Sequence, residues 1–167
     1  MEQKFSASLG TISIVVTVLL ALMGLLTPLL IVPSGEQEPD LIWVCAIFPG
    51  LLFIILTVSY LFMPRWYLVS PKGLRIGRRI SDVLIPIEAI DNARTVTEEE
   101  MGFAIRLFGN GGVFGFTGYY FSRKMGRMRL YATRKSNYVL IIRKGNKKII
   151  VTPDNPEAMV EAIKGIS

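Results

Sequence analysis

The side chains that carry most enzyme chemistry are scarce in this sequence of 167 residues. It contains no histidine, and its one cysteine, Cys45, lies in an apolar run. Without histidine, neither the Ser–His–Asp nor the Cys–His nucleophile system can be built, and the side chain best suited to proton transfer near neutral pH is missing. A zinc site without histidine requires clustered cysteines. The sequence therefore predicts a protein that is not an enzyme and that binds no metal or cofactor.

Residues 109–121 form the most unusual stretch, with five glycines and five aromatic residues. The stretch lacks the Gly-Lys-Ser/Thr ending of a Walker loop, fails the dinucleotide fingerprint at its last position, and lacks the leading basic-Gly pair of the RNA-binding octapeptide. We expect a long loop with unusual backbone angles and no nucleic-acid partner. Its aromatic residues either pack over an open end of the domain or dock at the bilayer interface or a partner protein. The candidate interface residues are Phe114, Phe116, Tyr119 and Tyr120.

Two long apolar runs predict a helical hairpin that crosses a membrane. Residues 9–32 and 41–63 contain 24 and 23 residues without a charge, and as helices they reach about 36 and 35 Å against a hydrocarbon core of about 30 Å. Small or weakly polar residues form a stripe at steps of three and four along the first run, and the second run contains Ala46-x-x-x-Gly50. The two features predict the contact between the helices. The residues of the first stripe are Gly10, Ser13, Thr17, Ala21, Gly24 and Pro28.

The charges that flank these runs predict their orientation. The connector 33–40 carries three acidic residues and no basic one, whereas basic residues flank the outer ends of both runs. The positive-inside rule then places both termini in the cytoplasm. We therefore expect a cytoplasmic tail 1–8, a first span 9–32, an extracytoplasmic loop 33–40, a second span 41–63 and a cytoplasmic domain 64–167.

Basic residues are concentrated in that domain. Residues 64–167 contain 18 lysines and arginines against 9 acidic residues, and no acidic residue occurs between Glu100 and Asp154. Each Lys or Arg near an anionic leaflet contributes about 1 kcal/mol of attraction, screened beyond roughly 8 Å. Three interpretations stay open: non-specific attraction to the membrane, a role in solubility alone, and specific recognition of a phosphate head group.

The domain has the patterns of short strands followed by one helix. Apolar or alternating runs typical of strands occur at 66–69, 74–77, 83–87, 93–97, 103–108, 128–133, 138–143 and 148–152. Asn155 can cap the final helix, Pro156 suits its first position and Gly165 can end it. The prediction is a mostly β fold in which two N-terminal transmembrane helices precede a bent antiparallel barrel or sandwich. This barrel has about seven strands and a C-terminal helix as its cap.

Several segments together resemble the bacterial pleckstrin-homology-like (PH-like) membrane proteins. They are Tyr67-Leu68-Val69-Ser70-Pro71-Lys72-Gly73-Leu74, Phe108-Gly109-Asn110-Gly111-Gly112-Val113-Phe114-Gly115, Tyr131-Ala132-Thr133 and Ile150-Val151-Thr152-Pro153-Asp154-Asn155-Pro156-Glu157. The resemblance covers residues 65–166 and implies a bent seven-stranded barrel with a C-terminal helix, in a protein of the bacterial inner or plasma membrane. It implies little about activity, because this fold hosts lipid, peptide and protein binding alike.

One basic cluster is similar to the first-hairpin cluster with which some PH domains hold inositol phosphates. Its members, Lys72, Arg75, Arg78 and Arg79, are the candidate contacts for an anionic lipid. The alternative is that they only anchor the second span on its cytoplasmic side. The leading hypothesis is a non-enzymatic, membrane-anchored module for contact with a protein partner or a second copy. The other hypothesis is specific binding of an anionic head group or phospho-ligand by this cluster.

Overall fold

A computed structural model of the chain describes residues 2–31 and 39–166. Two long helices, α1 (Thr11–Ile31) and α2 (Pro39–Phe62), lie near the N-terminus and pack against each other. Within α1, Thr11–Leu29 is long and apolar enough to cross a membrane, whereas the apolar part of α2 found in the described residues, Ile47–Phe62, is shorter. The predicted connector 33–40 falls mostly outside the described residues.

Two β-sheets account for most of the rest of the described chain. Their strands are β1 (Gln3–Ser6), β2 (Trp66–Ser70), β3 (Gly73–Gly77), β4 (Val83–Pro86), β5 (Ile90–Val96), β6 (Ala104–Gly112), β7 (Gly115–Ser122), β8 (Gly126–Ala132), β9 (Tyr138–Arg143) and β10 (Lys147–Val151). One sheet has the order β1-β2-β3-β4, and the other has the order β5-β9-β10-β8-β7-β6. A short helix α3 (Glu98–Met101) joins β5 to β6, and α4 (Pro156–Lys164) follows β10.

The predicted mostly β fold with a C-terminal helix is confirmed, but its finer description needs correction. Nine strands, β2 to β10, follow α2 in the described chain, where about seven were predicted, and they are divided between two sheets. The arrangement is also not wholly antiparallel, because β10 runs parallel to β8, with Ile150 opposite Leu130. The β9–β10 hairpin inserts β10 beside β8, and nothing in the local pattern of either strand indicates that pairing.

The predicted loop at residues 109–121 is a β-hairpin. The reason lies in Gly109 and Gly118, which face each other across β6 and β7 with φ angles of +116° and +127°. A Cβ on either residue would lie 2.2 Å from a backbone oxygen of the opposite strand. The glycines therefore let two strands approach closely, which residues with side chains could not do in this backbone conformation.

The main core lies between the two sheets and beneath α4. Tyr67, Ile141 and Met159 are among its fully buried residues. As predicted, α4 begins at Pro156 after the Asn155 cap, whose Oδ1 accepts a hydrogen bond from the Ala158 N–H. A second cluster of buried side chains, including Tyr120 and Leu130, covers the other face of the six-stranded sheet. The two cores hold the sheets and α4 together as one domain.

The contact between the long helices only partly follows the predicted stripes of small residues. Gly24 packs on Leu52, where an added Cβ would approach the Leu52 side chain to 2.9 Å. A Cβ added to Gly50 would have no neighbour within 4 Å among the residues that the structure describes. Gly10 and Ser13, at the start of the predicted stripe, face the β domain instead of α2.

Candidate interface between the helices and the domain

The N-terminal segment, predicted as a tail, contains a strand of the four-stranded sheet. Strand β1 pairs antiparallel with β2, with Phe5 opposite Tyr67. The backbone continues this contact on both sides, since the Ala7 N–H donates to the Arg65 carbonyl at 3.1 Å and the Asp154 N–H donates to the Ser6 carbonyl at 3.0 Å. The residues that precede α1 and those that follow α2 therefore belong to the same sheet.

A cluster of small polar residues fixes the start of α1 to the end of β8. The Gly10 N–H and the Ser13 hydroxyl both donate to the Thr133 carbonyl, at 3.0 and 3.1 Å. The Thr133 hydroxyl in turn donates to the Ser8 carbonyl at 2.7 Å. Gly10 is required here, because a Cβ would lie 2.7 Å from the Arg134 Cβ.

Asp154 closes this cluster from the side of α4. Its carboxylate accepts a hydrogen bond from the Ser8 hydroxyl at 2.7 Å and forms an ion pair with Arg134. The guanidinium of Arg134 also donates to the Ser8 carbonyl at 3.2 Å. We call Ser8, Gly10, Ser13, Thr133, Arg134 and Asp154 the N-terminal clamp. It gives α1 a fixed direction relative to the domain, because the contacts come from three segments of the chain.

The turn of the β6–β7 hairpin contacts both long helices. Phe114, which has a φ angle of +53°, donates its backbone N–H to the Thr17 hydroxyl of α1 at 3.0 Å. Its ring meets the Tyr60 ring of α2 edge-on, with 5.3 Å between centroids. Gly112 lies next to α1, where a Cβ added to Gly112 would be 3.7 Å from Cγ1 of Val16. Phe114 is thus occupied by contacts within the chain.

The other aromatic candidates have different environments. Phe116 is half-buried, with the Lys135 ammonium 5.3 Å from its ring centroid. Tyr119 is half-exposed and lies beneath the Arg129 guanidinium at 5.3 Å. Tyr120 belongs to the second core with only 4% of its surface exposed, and burial raises its pKa to about 12. The four aromatic candidates therefore do not form one surface. Phe114 and Tyr120 are occupied within the fold, whereas Phe116 and Tyr119 are accessible.

The four basic candidates also do not come together. The Arg79 guanidinium lies 4.1 Å from the Tyr60 ring centroid, and that of Arg78 lies 5.3 Å from the Phe62 ring centroid, both at the end of α2. Arg75 is exposed on β3. Lys72 lies in the turn at the opposite end of the β2–β3 hairpin, about 20 Å away along the strand. Only Arg78 and Arg79 are placed where the helices leave the domain.

A groove of about 290 Å³ opens on the second face of the six-stranded sheet. Arg106 and Lys135 line it together with Arg134 and with aromatic residues that include Phe116 and Tyr138. None of its lining residues is acidic. The groove therefore presents both apolar and positively charged side chains.

The sequence pattern does not predict the N-terminal clamp, although it contains one signal for it. Ser13 and Thr17 both fit the stripe of small residues, so the sequence predicts them in the contact between the helices. Small hydroxyl residues at the first turns of an apolar helix can equally bind a domain that packs there, and spacing does not distinguish the two. The structure also contains no group of three or more Cys, Asp or Glu side chains suited to a metal ion within residues 2–31 and 39–166.

Two sheets closed by a C-terminal helix define the class of this domain as PH-like, and domains of this class are generally non-catalytic binding modules. The family model described as bacterial PH domain matches residues 65–166. The chain belongs to the bacterial PH domain family, as the sequence resemblance indicated. No curated protein matches the chain, and no solved structure matches it either. Strand β1 and the two long helices α1 and α2 lie outside the matched residues.

Proposed function

We propose that this chain is a non-enzymatic binding module anchored in the bacterial inner or plasma membrane. In this proposal α1 and α2 cross the bilayer as a hairpin, and both termini lie in the cytoplasm. The PH-like domain is held at the cytoplasmic leaflet, where it contacts a protein partner. The basic residues of the domain strengthen its contact with anionic head groups.

One observation carries this proposal: β1, which precedes α1, pairs with β2, which follows α2. If the two helices cross the bilayer, both must leave it on the side where this one sheet lies. The absence of Lys and Arg from the connector, and the basic residues that flank the outer ends of both runs, favour the cytoplasm as that side. The N-terminal clamp further supports a domain that is held in one orientation, in contrast to a domain on a flexible tether.

The groove beside Phe116 is the surface that best fits a partner. Of its three lining cations, Arg134 is paired with Asp154, and Arg106 and Lys135 favour an acidic segment. Its aromatic residues favour apolar side chains within that segment. The groove lies close to the helices, because Phe116 follows the turn that contacts Thr17. A partner that binds here would be positioned next to the membrane surface.

The membrane anchor is tested by fractionation and by a reporter fused after Ser167. We expect the full chain to stay in the membrane fraction after washes with high salt and with urea, and the reporter to be active on the cytoplasmic side. A protein released by these washes, or a reporter on the outer side, contradicts the proposal. A fusion in the connector, at residue 36, is the matched control and should report the opposite side.

Binding of an anionic head group near Arg79 is the second candidate function. It is favoured by the position of Arg78 and Arg79 beside the aromatic end of α2, at the level where head groups would lie. Arg79 is the better residue to replace, because Arg78 also donates to Ser81 and holds the loop between β3 and β4.

We expect Arg79→Ala to weaken binding of short-chain phosphatidylglycerol to the detergent-solubilised full chain about fivefold, the effect of about 1 kcal/mol. The matched control is Lys72→Ala, which removes the same charge at the far end of the β2–β3 hairpin and should leave the affinity unchanged. Titration calorimetry measures both. Equal losses in the two variants would show attraction to the net charge of the domain without a site at Arg79.

A further inference from the structure

The edge strand β6 exposes a row of large apolar side chains. Phe103, just before the strand, is 86% exposed, Ile105 and Leu107 are 55% and 54% exposed, and Phe108 is 75% exposed. Strand β6 is the last strand of its sheet, so within residues 2–31 and 39–166 one side of its backbone has no strand partner. Edge strands in soluble domains are usually protected by charged residues, and a contiguous apolar surface marks a site of interaction.

The apolar surface continues onto the neighbouring strand. Ile105 lies opposite Phe121, and Phe108 lies opposite Tyr119. One strand further in, arginines replace the aromatic residues, and the Arg129 guanidinium stacks on Tyr119 at 5.3 Å. From the edge inward, the surface changes from aliphatic and Phe residues to Tyr and then to Arg. This order is typical of protein surfaces at the boundary between hydrocarbon and head groups.

The contacts of α1 show which side of the sheet is turned toward the membrane. At its start, Gly10 and Ser13 contact Thr133 at the end of β8. Further along, Val16 and Thr17 contact the turn that follows β6. The helix rises about 10 Å from Gly10 to Thr17, which equals the distance of about 10 Å across two strand spacings. The apolar helix therefore passes β8 first and β6 second, which places β6 on its membrane side.

We propose that the β6 edge, with Tyr119 and Phe121 behind it, is a second membrane contact that lies in the head-group boundary of the bilayer crossed by α1 and α2. The occupant of this surface is an anionic lipid bilayer. This inference rests on the proposed membrane anchor and adds an orientation to it: the domain lies with the β6 edge against the leaflet. Strand β5, at the other edge of the sheet, then faces away from the membrane.

A second copy of the chain fits this edge less well than the bilayer does. The register of β6 shifts between Arg106 and Phe108, and such a bulge twists an edge strand and interrupts continuous pairing with another strand. Arg127 and Arg129 of β8, opposite Phe121 and Tyr119, border the apolar surface with positive charge, which a second copy of this basic domain would not neutralise. Anionic head groups would instead neutralise these charges. The helix α3 just before β6 is acidic, and its negative charge is partly neutralised because the Arg94 guanidinium pairs with the Glu100 carboxylate at 2.9 Å.

The test uses the full chain with Cys45→Ser and single nitroxide-labelled cysteines, reconstituted in vesicles of phosphatidylcholine and phosphatidylglycerol. The labelled positions are Phe108→Cys and Ile105→Cys on the β6 edge, Asp91→Cys on β5 as the matched control, and Leu22→Cys in α1 as the membrane reference. Collision of each label with oxygen and with an aqueous nickel chelate reports its depth. We expect a several-fold higher ratio of oxygen to nickel collisions at Phe108 and Ile105 than at Asp91.

The alternative results are distinguishable. If Leu22 reports lipid but Phe108 and Asp91 report water alike, the β6 contact is wrong and the anchor stands. If the β6 labels are shielded from both reagents and broaden each other, a second copy covers the edge and the inference is overturned. If Leu22 itself reports water, both the anchor and the β6 contact fail. A Phe103→Asp change should make the Ile105 label several-fold more accessible to nickel, which checks the contact without a label at Phe108.

Discussion

A chain that begins at residue 65 is expected to lose about 3–5 kcal/mol of unfolding free energy, because it lacks β1 and the N-terminal clamp. Phe5 packs on the main core and Ala7 is buried within it. Several hydrogen bonds are lost as well, including those from Ser8 to Asp154 and from Ala7 to Arg65. Partial burial of a Phe side chain contributes about 1–2 kcal/mol, and each hydrogen bond about 1 kcal/mol. Strand β2 would also become an exposed edge that can pair with other molecules.

A linked chain provides the matched comparison. In it, residues 2–10 are joined to residue 64 by a flexible Gly/Ser linker in place of both helices. We expect this chain to recover most of the lost stability, as measured by urea unfolding with the fluorescence of Trp66. Phe5→Ser in the linked chain should remove part of the recovery. Equal midpoints for the chain from 65 and the linked chain would show that β1 contributes nothing to the domain.

This expectation affects how the domain can be studied. The family match begins at residue 65, and a soluble fragment cut at that boundary would lose one strand of its four-stranded sheet. Weak binding by such a fragment would then reflect incomplete folding. Experiments on ligands and partners should use the full chain or the linked chain.

The second large expected effect is loss of stability in alkaline solution. Burial raises the pKa of Tyr67, Tyr120 and Tyr138 from 10.0 to about 12. The folded state thus favours the neutral phenols. The contribution of these tyrosines to the free energy of unfolding is complete below pH 10 and is lost as the pH rises from 10 toward 12. For the fully buried Tyr67, a shift of about two units corresponds to about 3 kcal/mol. Urea unfolding of the full chain at increasing pH should show this decrease.

Tyr67 allows the origin of the alkaline effect to be tested. Its hydroxyl donates to the Tyr131 carbonyl at 2.6 Å and accepts from the Thr152 N–H at 3.3 Å. Tyr67→Phe should lower the free energy of unfolding at neutral pH by about 1–3 kcal/mol, because both backbone groups lose a buried partner. It should also make the alkaline decrease smaller. A pH profile of stability that Tyr67→Phe leaves unaltered contradicts the assignment.

The arrangement of helices and domain distinguishes this chain from a domain on a flexible tether. The clamp, the β1–β2 pairing and the contact of Phe114 with Thr17 join them at three places. A force or a change of tilt in the helices would therefore be transmitted to the β6–β7 hairpin. The groove beside Phe116 lies on that hairpin, so binding in the groove and the position of the helices are expected to be coupled.

The elements that the sequence determined by itself are those with local signals. The start of α4 depends on Asn155 and Pro156, which act on the first turn of their own helix. The β2–β3 and β9–β10 hairpins connect neighbouring segments through short turns, so their pattern is sufficient. The apolar character of α1 also follows from composition alone. In each case the interacting groups lie within a few residues of one another.

The features that join distant segments depend on the complete fold. Strand β1 pairs with a strand more than 60 residues later, and β10 lies parallel to β8, and no spacing in the sequence encodes either choice. The glycines of residues 109–121 are compatible with a loop or with two closely approaching strands, and the opposite strand decides between them. Lys72 and Arg79 are near in sequence but lie at opposite ends of an extended hairpin, because a strand advances about 3.3 Å per residue. Basic residues that are close in sequence are therefore separated in the fold. Polar residues that are remote in sequence, such as Ser8 and Asp154, come together at the start of α1.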